Sequence, residues 1–473
     1  MRRVHFIGIC GTAMATLAAM LKRKGLDVRG SDQNVYPPMS TFLDQEGIPI
    51  LTGYHADHIT GDLDEVVVGN AISRGNAELE EVLDRKIRYC SLPEAIREQF
   101  LWGARSTVIA GTHGKTTTTA LAGWVLVHAG LDPSVLVGGV AANLGPDGSS
   151  YRLGTGRDFV IEGDEYDSAF FDKTAKFLKY LPDIAVVANI EFDHADIYSD
   201  LDAVRLAFRR LVNLVPRRGL LVLGAASPDA LALREAAHSK VETFGLTEHA
   251  DWYAYDVEPT QSGTRFRVRY LAEGLGVVEL PLVGSHNVRN ALAAMAVANA
   301  VGVGIGTMLE GLRTFAGVKR RLELAGIARG VTILDDFAHH PTAVRETLAA
   351  VRAAHPDNQI WAVFEPRSAT SCRRVFQRAF AEAFDAADDT LIAGVYRSSL
   401  PADERLSGEQ LVADLSAAGH RARFMPAVDD IVATIGREAN PGDLVVVMSN
   451  GAFGGIHAKL LGALAKQPPP SGH

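Results

Sequence analysis

The segment with the clearest chemistry is Gly111-Thr-His-Gly-Lys-Thr-Thr117, set between an apolar run at 107–110 and a helical stretch opened by four successive threonines. Glycines let backbone N–H groups converge on phosphate oxygens, the positive end of the following helix adds to the field, and Lys115 brings a full cation. The hydroxyl of Thr116 suits Mg²⁺. This pattern binds a nucleoside triphosphate, so Gly111, Thr112, His113, Gly114, Lys115, Thr116 and Thr117 are candidate triphosphate-binding residues, with Mg²⁺ as an expected cofactor. It is a shortened loop, because Ile109 stands where G-x-x-x-x-G-K-[ST] has its first glycine.

Two acidic segments follow, each at the end of an apolar run. In Glu162-Gly-Asp-Glu165-Tyr-Asp167, strand alternation aims Glu162 and Asp164 at one face, and such carboxylates repel unless a cation is present. Thr116, phosphate oxygens and Glu162 then make a hard-oxygen shell for Mg²⁺; read alone, the segment also fits a solvated acidic turn. In Asn189-Ile-Glu191-Phe-Asp193-His194-Ala-Asp196, a carboxylate partner would fix the His194 imidazole either to bind a second divalent ion or to orient a phosphate. Lys115, Glu162 and His194 are therefore the candidate catalytic residues, and Thr116, Glu162 and His194 the candidate metal ligands.

Further along, Gly284-Ser-His286-Asn287-Val-Arg-Asn290 opens an apolar helix, where Asn287 and Asn290 either read a base edge or cap the helix. Lys319-Arg320-Arg321-Leu-Glu323 precedes Asp335-Asp336-Phe-Ala-His339-His340-Pro341. Guanidinium groups suit phosphate, so Arg321, with the acids and histidines after it, could close over a nucleotide; as a bare charge run it would be a solvated face.

Elements that position these groups follow from the alternation of short apolar runs with helical patterns, which predicts an α/β protein with parallel sheets. A length of 473 residues suggests about three domains. Residues 1–103 form the first, with strands at 4–7, around Val28 and at 66–68, and a helix from about 12 to 24: a Rossmann-like fold. Its turn fails the dinucleotide fingerprint, because Cys10 and Ala13 stand where glycines belong, so NAD is disfavoured. A diphosphate still suits the helix N-terminus, with Asp32 near a ribose or base. Residues 104–316 form a central P-loop ATPase domain. Strands at 107–110, 159–161, 184–188 and 220–223 build its parallel sheet, and hairpins within 251–270 add a small antiparallel one. Residues 317–473, with strands at 331–334, 361–364, 391–393 and 444–448, form a second Rossmann-like domain that gathers ligands at the carboxyl ends of its strands.

Composition narrows the partners. With 47 basic against 56 acidic residues the net charge is −9, which lacks the footprint of a nucleic-acid binder. Three scattered cysteines support neither a disulfide framework nor a thiolate metal site, and fit a reducing cytoplasm. No apolar run reaches the ~18 to 20 residues of a membrane span. The apolar stretch after Arg2 and Arg3 is interrupted by His5 and small polar positions and closed by Lys22, Arg23 and Lys24, so it reads as strand, turn and helix rather than a signal peptide. The expected partners are small-molecule substrates. A monomer is favoured, and residues 467–473 read as a frayed tail.

Taken in order, GTHGKTTTT, EGDEYD, NIEFDHAD, GSHNVRNAL, KRRLE and DDFAHHP resemble the Mur ligase family of peptidoglycan synthesis over essentially the whole chain. Longer phrases (HFIGICGTAMATL, GSDQNVYPPMSTFL, EGDEYDSAFFDK, NIEFDHADIY, FEPRS and VMSNGAFGGIHAKLL) are most similar to one branch. That branch joins UDP-N-acetylmuramate to the tripeptide L-alanyl-γ-D-glutamyl-meso-diaminopimelate in peptidoglycan recycling; the branch adding free L-alanine is the nearest alternative. The resemblance implies that Lys115 and Thr116 hold ATP phosphates and Mg²⁺, that Glu162 is a magnesium ligand, and that His194 lies near a second metal. It further implies that Asn290 contacts adenine and that Arg321 and Asp336 reach the nucleotide from the third domain. Gly11, Thr12, Ala13, Asp32, Asn70 and Arg74 would hold the UDP end of the sugar nucleotide, and Arg367 is the candidate for a peptide carboxylate.

The implied reaction is ATP-dependent: the lactoyl carboxylate is phosphorylated, the tripeptide amine attacks the acyl phosphate, and the third domain closes over the central one. More distant alternatives are a nicotinamide-dependent oxidoreductase and a nucleotide-binding regulator without catalysis. Two departures from the family stand out. Several members carry a modified lysine after the DHxD segment, whereas the basic residues between Asp200 and Val215 are Arg205, Arg209 and Arg210, so the metal site must be completed differently. Gly163 stands where alanine is common, and Thr174 where arginine is expected.

Overall fold

The computed structural model describes residues 2–195, 197–396 and 400–466. Asp196 of the acidic segment and the tail at 467–473 lie outside them. The α/β class expected from the sequence is present as three main sheets. The first runs Ile50–Thr52, Asp27–Asp32, Arg3–Ile7, Glu65–Val68, Tyr89–Ser91, all parallel. This is the order of a dinucleotide-type half, with its crevice beside the first strand. Two of its strands have three residues each, too short for an apolar period to mark them. Helix Thr12–Arg23 buries Met14 through Leu21 against the sheet.

Among the described residues ten strands form the central sheet. Strand Arg105–Ala110 lies between Asp158–Gly163 and Ile184–Val187, parallel to both. The antiparallel pair expected within 251–270 is Trp252–Thr260 and Gly263–Tyr270, and a further strand beyond that range, Glu273–Leu280, extends it. They continue the parallel sheet through Phe244 beside Trp252 rather than standing apart from it. Their alternate residues Trp252, Ala254, Phe266, Val268, Val278 and Leu280 are buried in one core with helix Ser285–Ala300. That alanine-rich helix packs in turn on Lys115–His128.

The third sheet runs Glu323–Ala328, Val331–Asp336, Leu444–Met448, Ile360–Phe364, Asp389–Ile392, Arg421–Phe424, with only the first strand antiparallel.

Register brings distant motifs to one level. Ala110 is paired with Gly163 on one side and Val187 on the other, so Gly111, Asp164 and Ala188 leave the sheet together. In the third sheet Met448 is paired with Asp336 and Phe364, which brings the segments after those three strands together in the same way. Gly163 is required by packing here: a Cβ would lie 2.7 Å from Val108 and 3.3 Å from Phe177.

Candidate active site

Gly111 leaves its strand at φ +133°, and a Cβ there would approach the Ala188 nitrogen to 3.0 Å. Gly114 adopts φ +82° just before helix Lys115–His128, with no side-chain cap on the helix start. Both positions need glycine: each has positive φ, Gly111 lies against the next strand end, and a Cβ on Gly114 would fall 2.5 Å from Asn290 Oδ1. The loop is braced from the next strand end: His113 N donates to Asn189 Oδ1 at 2.8 Å, and Glu191 N donates to Thr112 Oγ1 at 2.9 Å.

Lys115 Nζ curls back onto the Gly111 carbonyl at 2.8 Å and meets both Glu165 oxygens, at 2.8 and 3.0 Å. His194 Nε2 lies 3.2 Å from the same carboxylate. Burial is the largest influence on all three groups and opposes their charges. Their mutual attraction outweighs it, so Lys115 and His194 lie above their ordinary pKa and Glu165 below. Glu165 thus holds the Lys115 ammonium and the His194 imidazole together at the mouth of the loop. Thr370 from the third sheet's side donates to Asp193 and accepts from His194 N at 3.2 Å, fixing His194 at φ +53°.

Thr116 Oγ1 donates to Glu162 Oε1 at 2.9 Å, while Gly138 N donates to Glu162 Oε2 at 2.6 Å. Burial, with Asp164 beside it, pushes the Glu162 carboxyl up to about 7. A pair of hard oxygen donors short of positive charge fits a divalent cation of the Mg²⁺ type. Of the three predicted ligands the structure thus joins Thr116 and Glu162, and places His194 on Glu165 instead.

Arg321 reaches the same place from the third block, with Nη2 3.4 Å from Thr116 Oγ1. Asp336 accepts from Leu322 N and Ala338 N, both at 2.8 Å, so its oxygens hold the loop that carries Arg321. Asn290 accepts from Thr118 at 3.1 Å and lies against Gly114; Asn287 donates to the Val283 carbonyl at 2.8 Å. Neither asparagine caps the helix, whose N-cap is Gly284, because both side chains are committed to neighbours along and across the helix pair. Thr117 is buried in the first helical turn.

At the first sheet, Gly11, Thr12 and Ala13 are exposed at the helix start, and Asp32 accepts from Cys10 N at 2.9 Å and Asn34 N at 3.0 Å. Asn70 crosses to Asp167 on the central block at 3.0 Å. Arg74 stands apart: it is committed to Glu80 through two hydrogen bonds, of 3.0 and 2.8 Å, on the surface.

Between the central and third blocks lies a cavity of about 250 Å³ lined by Tyr166, His194, His339, Arg367, Tyr396 and Asn450. Arg367 lies 3.7 Å above the Tyr396 ring centre, and a Cβ on Gly451 would fall 2.0 Å from its Nε. Asn450 Oδ1 is buried without a partner among the described residues.

Three family models match in sequence order: "Mur ligase family, catalytic domain" over 3–100, "Mur ligase middle domain" over 109–298 and "Mur ligase, glutamate ligase domain" over 320–451. The UDP-N-acetylmuramate–L-alanyl-γ-D-glutamyl-meso-2,6-diaminoheptandioate ligase of Escherichia coli K12 is 40% identical, across 98% of this chain and 99% of the relative. The chain belongs to the Mur ligase family. It is accordingly an ATP-dependent ligase that forms amide bonds, which removes the oxidoreductase and the non-catalytic regulator. The crystal structure of a murein peptide ligase from Psychrobacter arcticus matches with a TM-score of 0.73 and 37% identity, covering 99% of this chain and all of that one. A UDP-N-acetylmuramate–L-alanine ligase from Agrobacterium fabrum is 38% identical, over 95% of this chain and 94% of the relative. No helix among the described residues of this Mur ligase is long and apolar enough to cross a membrane.

Glu165 and Thr370 are neighbours of His194 that the sequence reading did not single out, whereas Asp193 was among the acids it set beside that ring. Glu165 sits in a motif already singled out, but its strand ends at Gly163, so alternation says nothing about where it points. Thr370 carries no sequence signal, since its contact spans two sheets.

Proposed function

We propose that this Mur ligase joins the tripeptide L-alanyl-γ-D-glutamyl-meso-diaminopimelate to UDP-N-acetylmuramate in peptidoglycan recycling, at the expense of ATP. The observation that carries the reading is the convergence of Lys115, the Thr116–Glu162 pair and His194 with Arg321 and Thr370 at one cleft. The chain's three units, taken as 1–103, 104–316 and 317–473, then hold the sugar nucleotide, the ATP phosphates and the peptide.

An amide does not form from a carboxylate and an ammonium at neutral pH without activation. The backbone of residues 111–114 would cradle the triphosphate, with Asn290 beneath it. Lys115 and Arg321 would neutralise charge on the transferring phosphoryl group as the lactoyl carboxylate becomes an acyl phosphate. Thr116 and Glu162 would hold Mg²⁺, which supplies further charge neutralisation when bound. Gly11, Thr12, Ala13 and Asp32, with Asn70, would seat the uridine diphosphate at the first helix start. Arg367, stacked on Tyr396 in the cavity beside His194, would take a peptide carboxylate through its guanidinium fork, placing the attacking amine near the activated carbonyl. Contact of the third block with the central one excludes water from the acyl phosphate. The same reading makes the enzyme cytoplasmic and monomeric.

An ADP-release assay with UDP-N-acetylmuramate and, in parallel, alanine, dipeptide and tripeptide tests it. Tripeptide should be turned over fastest; preference for alanine would reassign the acceptor, and no ADP release with any acceptor would defeat the reading.

A further inference from the structure

We propose that His113, Glu191 and His340 form a site for a borderline divalent cation of the Zn²⁺ type, separate from the oxygen-lined Thr116–Glu162 pair. One donor atom from each residue lies within 4.8 Å of the other two. His113 Nε2 is 3.4 Å and His340 Nδ1 3.7 Å from the same oxygen, Glu191 Oε2. Bonds of ~2.0 to 2.1 Å in a tetrahedral site set its ligands ~3.4 Å apart, so two of the three edges are close to the required length.

The surroundings hold the donors ready. His340 Nε2 lies 3.2 Å from the Phe192 carbonyl, where only a protonated nitrogen fits, so in the neutral ring Nδ1 carries the lone pair that faces Glu191. A backbone carbonyl on the far ring nitrogen is what orients metal-binding imidazoles. Thr342 Oγ1 donates to Glu191 Oε2 at 2.6 Å and steadies the carboxylate. Burial above all keeps His340 neutral, with its pKa pushed down to about 4. Among the described residues the hydrogen bond to Nδ1 is a long one, 3.3 Å from Thr342 N, which a cation would replace at small loss. Two imidazoles and one carboxylate select Zn²⁺, Co²⁺ or Ni²⁺ over Mg²⁺, and leave a fourth position for water.

Residues 113 and 191 belong to the central sheet's loops, whereas His340 caps helix Pro341–Ala354 of the third block. A bound ion therefore ties the third block to the phosphate loop.

The full-length protein is titrated with Co²⁺ in excess Mg²⁺, followed by Zn²⁺. One equivalent of Co²⁺ should give the intense visible d–d absorption of a tetrahedral site, which Zn²⁺ then abolishes. Glu191→Gln and His340→Gln should each weaken binding at least about tenfold and remove the band. Glu191 is 36% exposed, so its variant keeps the fold and decides the matter even where His340→Gln does not fold. Absence of the band in the wild type, its retention in either folded variant, or its displacement by Mg²⁺ overturns the proposal.

Discussion

The first and central sheets each send a parallel strand into a glycine turn and then into a helix N-terminus, yet the two turns are furnished differently. After Arg3–Ile7 the helix start is exposed, no lysine or arginine stands among residues 8–13, and the nearby carboxylate Asp32 is occupied with backbone N–H groups. After Arg105–Ala110 a buried ammonium is clasped by a loop carbonyl and Glu165, and Glu165 is shared with His194. Backbone dipoles alone can hold a diphosphate that does not change. Moving a phosphoryl group requires full charges placed in advance where water is scarce, and only the second turn provides them.

The sharpest way to break this contrast is Lys115→Ala. It should lower kcat by ~10²-fold or more while circular dichroism and UDP-sugar binding stay unchanged. Activity above about a tenth of wild type would place the phosphoryl-transfer charge elsewhere.

Arg367→Lys separates the peptide end from the phosphate end. Losing a forked, ring-stacked guanidinium should raise KM for the tripeptide ~10-fold or more, with KM for ATP unmoved. A change in both constants would mean that the cavity beside His194 is not the peptide site.

Asp32→Asn probes the first turn. If that turn only binds, KM for the sugar nucleotide rises several-fold, roughly the worth of one or two weakened hydrogen bonds, and kcat holds. A matching fall in kcat would make the two turns alike after all.

The smallest effect is on stability. Burial pushes His286 down to about 4, so it stays neutral in the fold while the unfolded chain takes up its proton near 6.5. The unfolded state binds more protons between those values, and stability contributed by the neutral ring is lost as pH falls from 6.5 toward 4. His286→Gln should therefore lose less Tm than wild type between pH 7 and 5, by about 2 °C. Parallel melting curves would show that His286 is charged in the fold.

Much of the site was legible in one dimension because its chemistry needs residue types that are rare in combination. Gly111, Gly114, Lys115 and Thr116 announce a phosphate loop by spacing alone, and Glu162 follows from a carboxylate-rich strand end. Arg74 and Asn287 were not legible in this sense: residue type admits a ligand role, and the partners actually taken, Glu80 and the Val283 carbonyl, are matters of packing. Short strands such as Ile50–Thr52 escaped for the same reason, since three residues carry no period.

What the sequence determined by itself was the set of local preferences: apolar strands ending in glycine turns, helices beginning at them, and charged motifs at those ends. Tertiary structure decided which motif meets which. Pairing Ala110 with both Gly163 and Val187 puts three separate strand ends at one height. Contact with the third block brings Arg321 to Thr116 and Thr370 to Asp193, across some 180 to 200 positions of chain. Such pairings depend on long-range register and burial, and those exist only after the chain has closed loops that no local window contains.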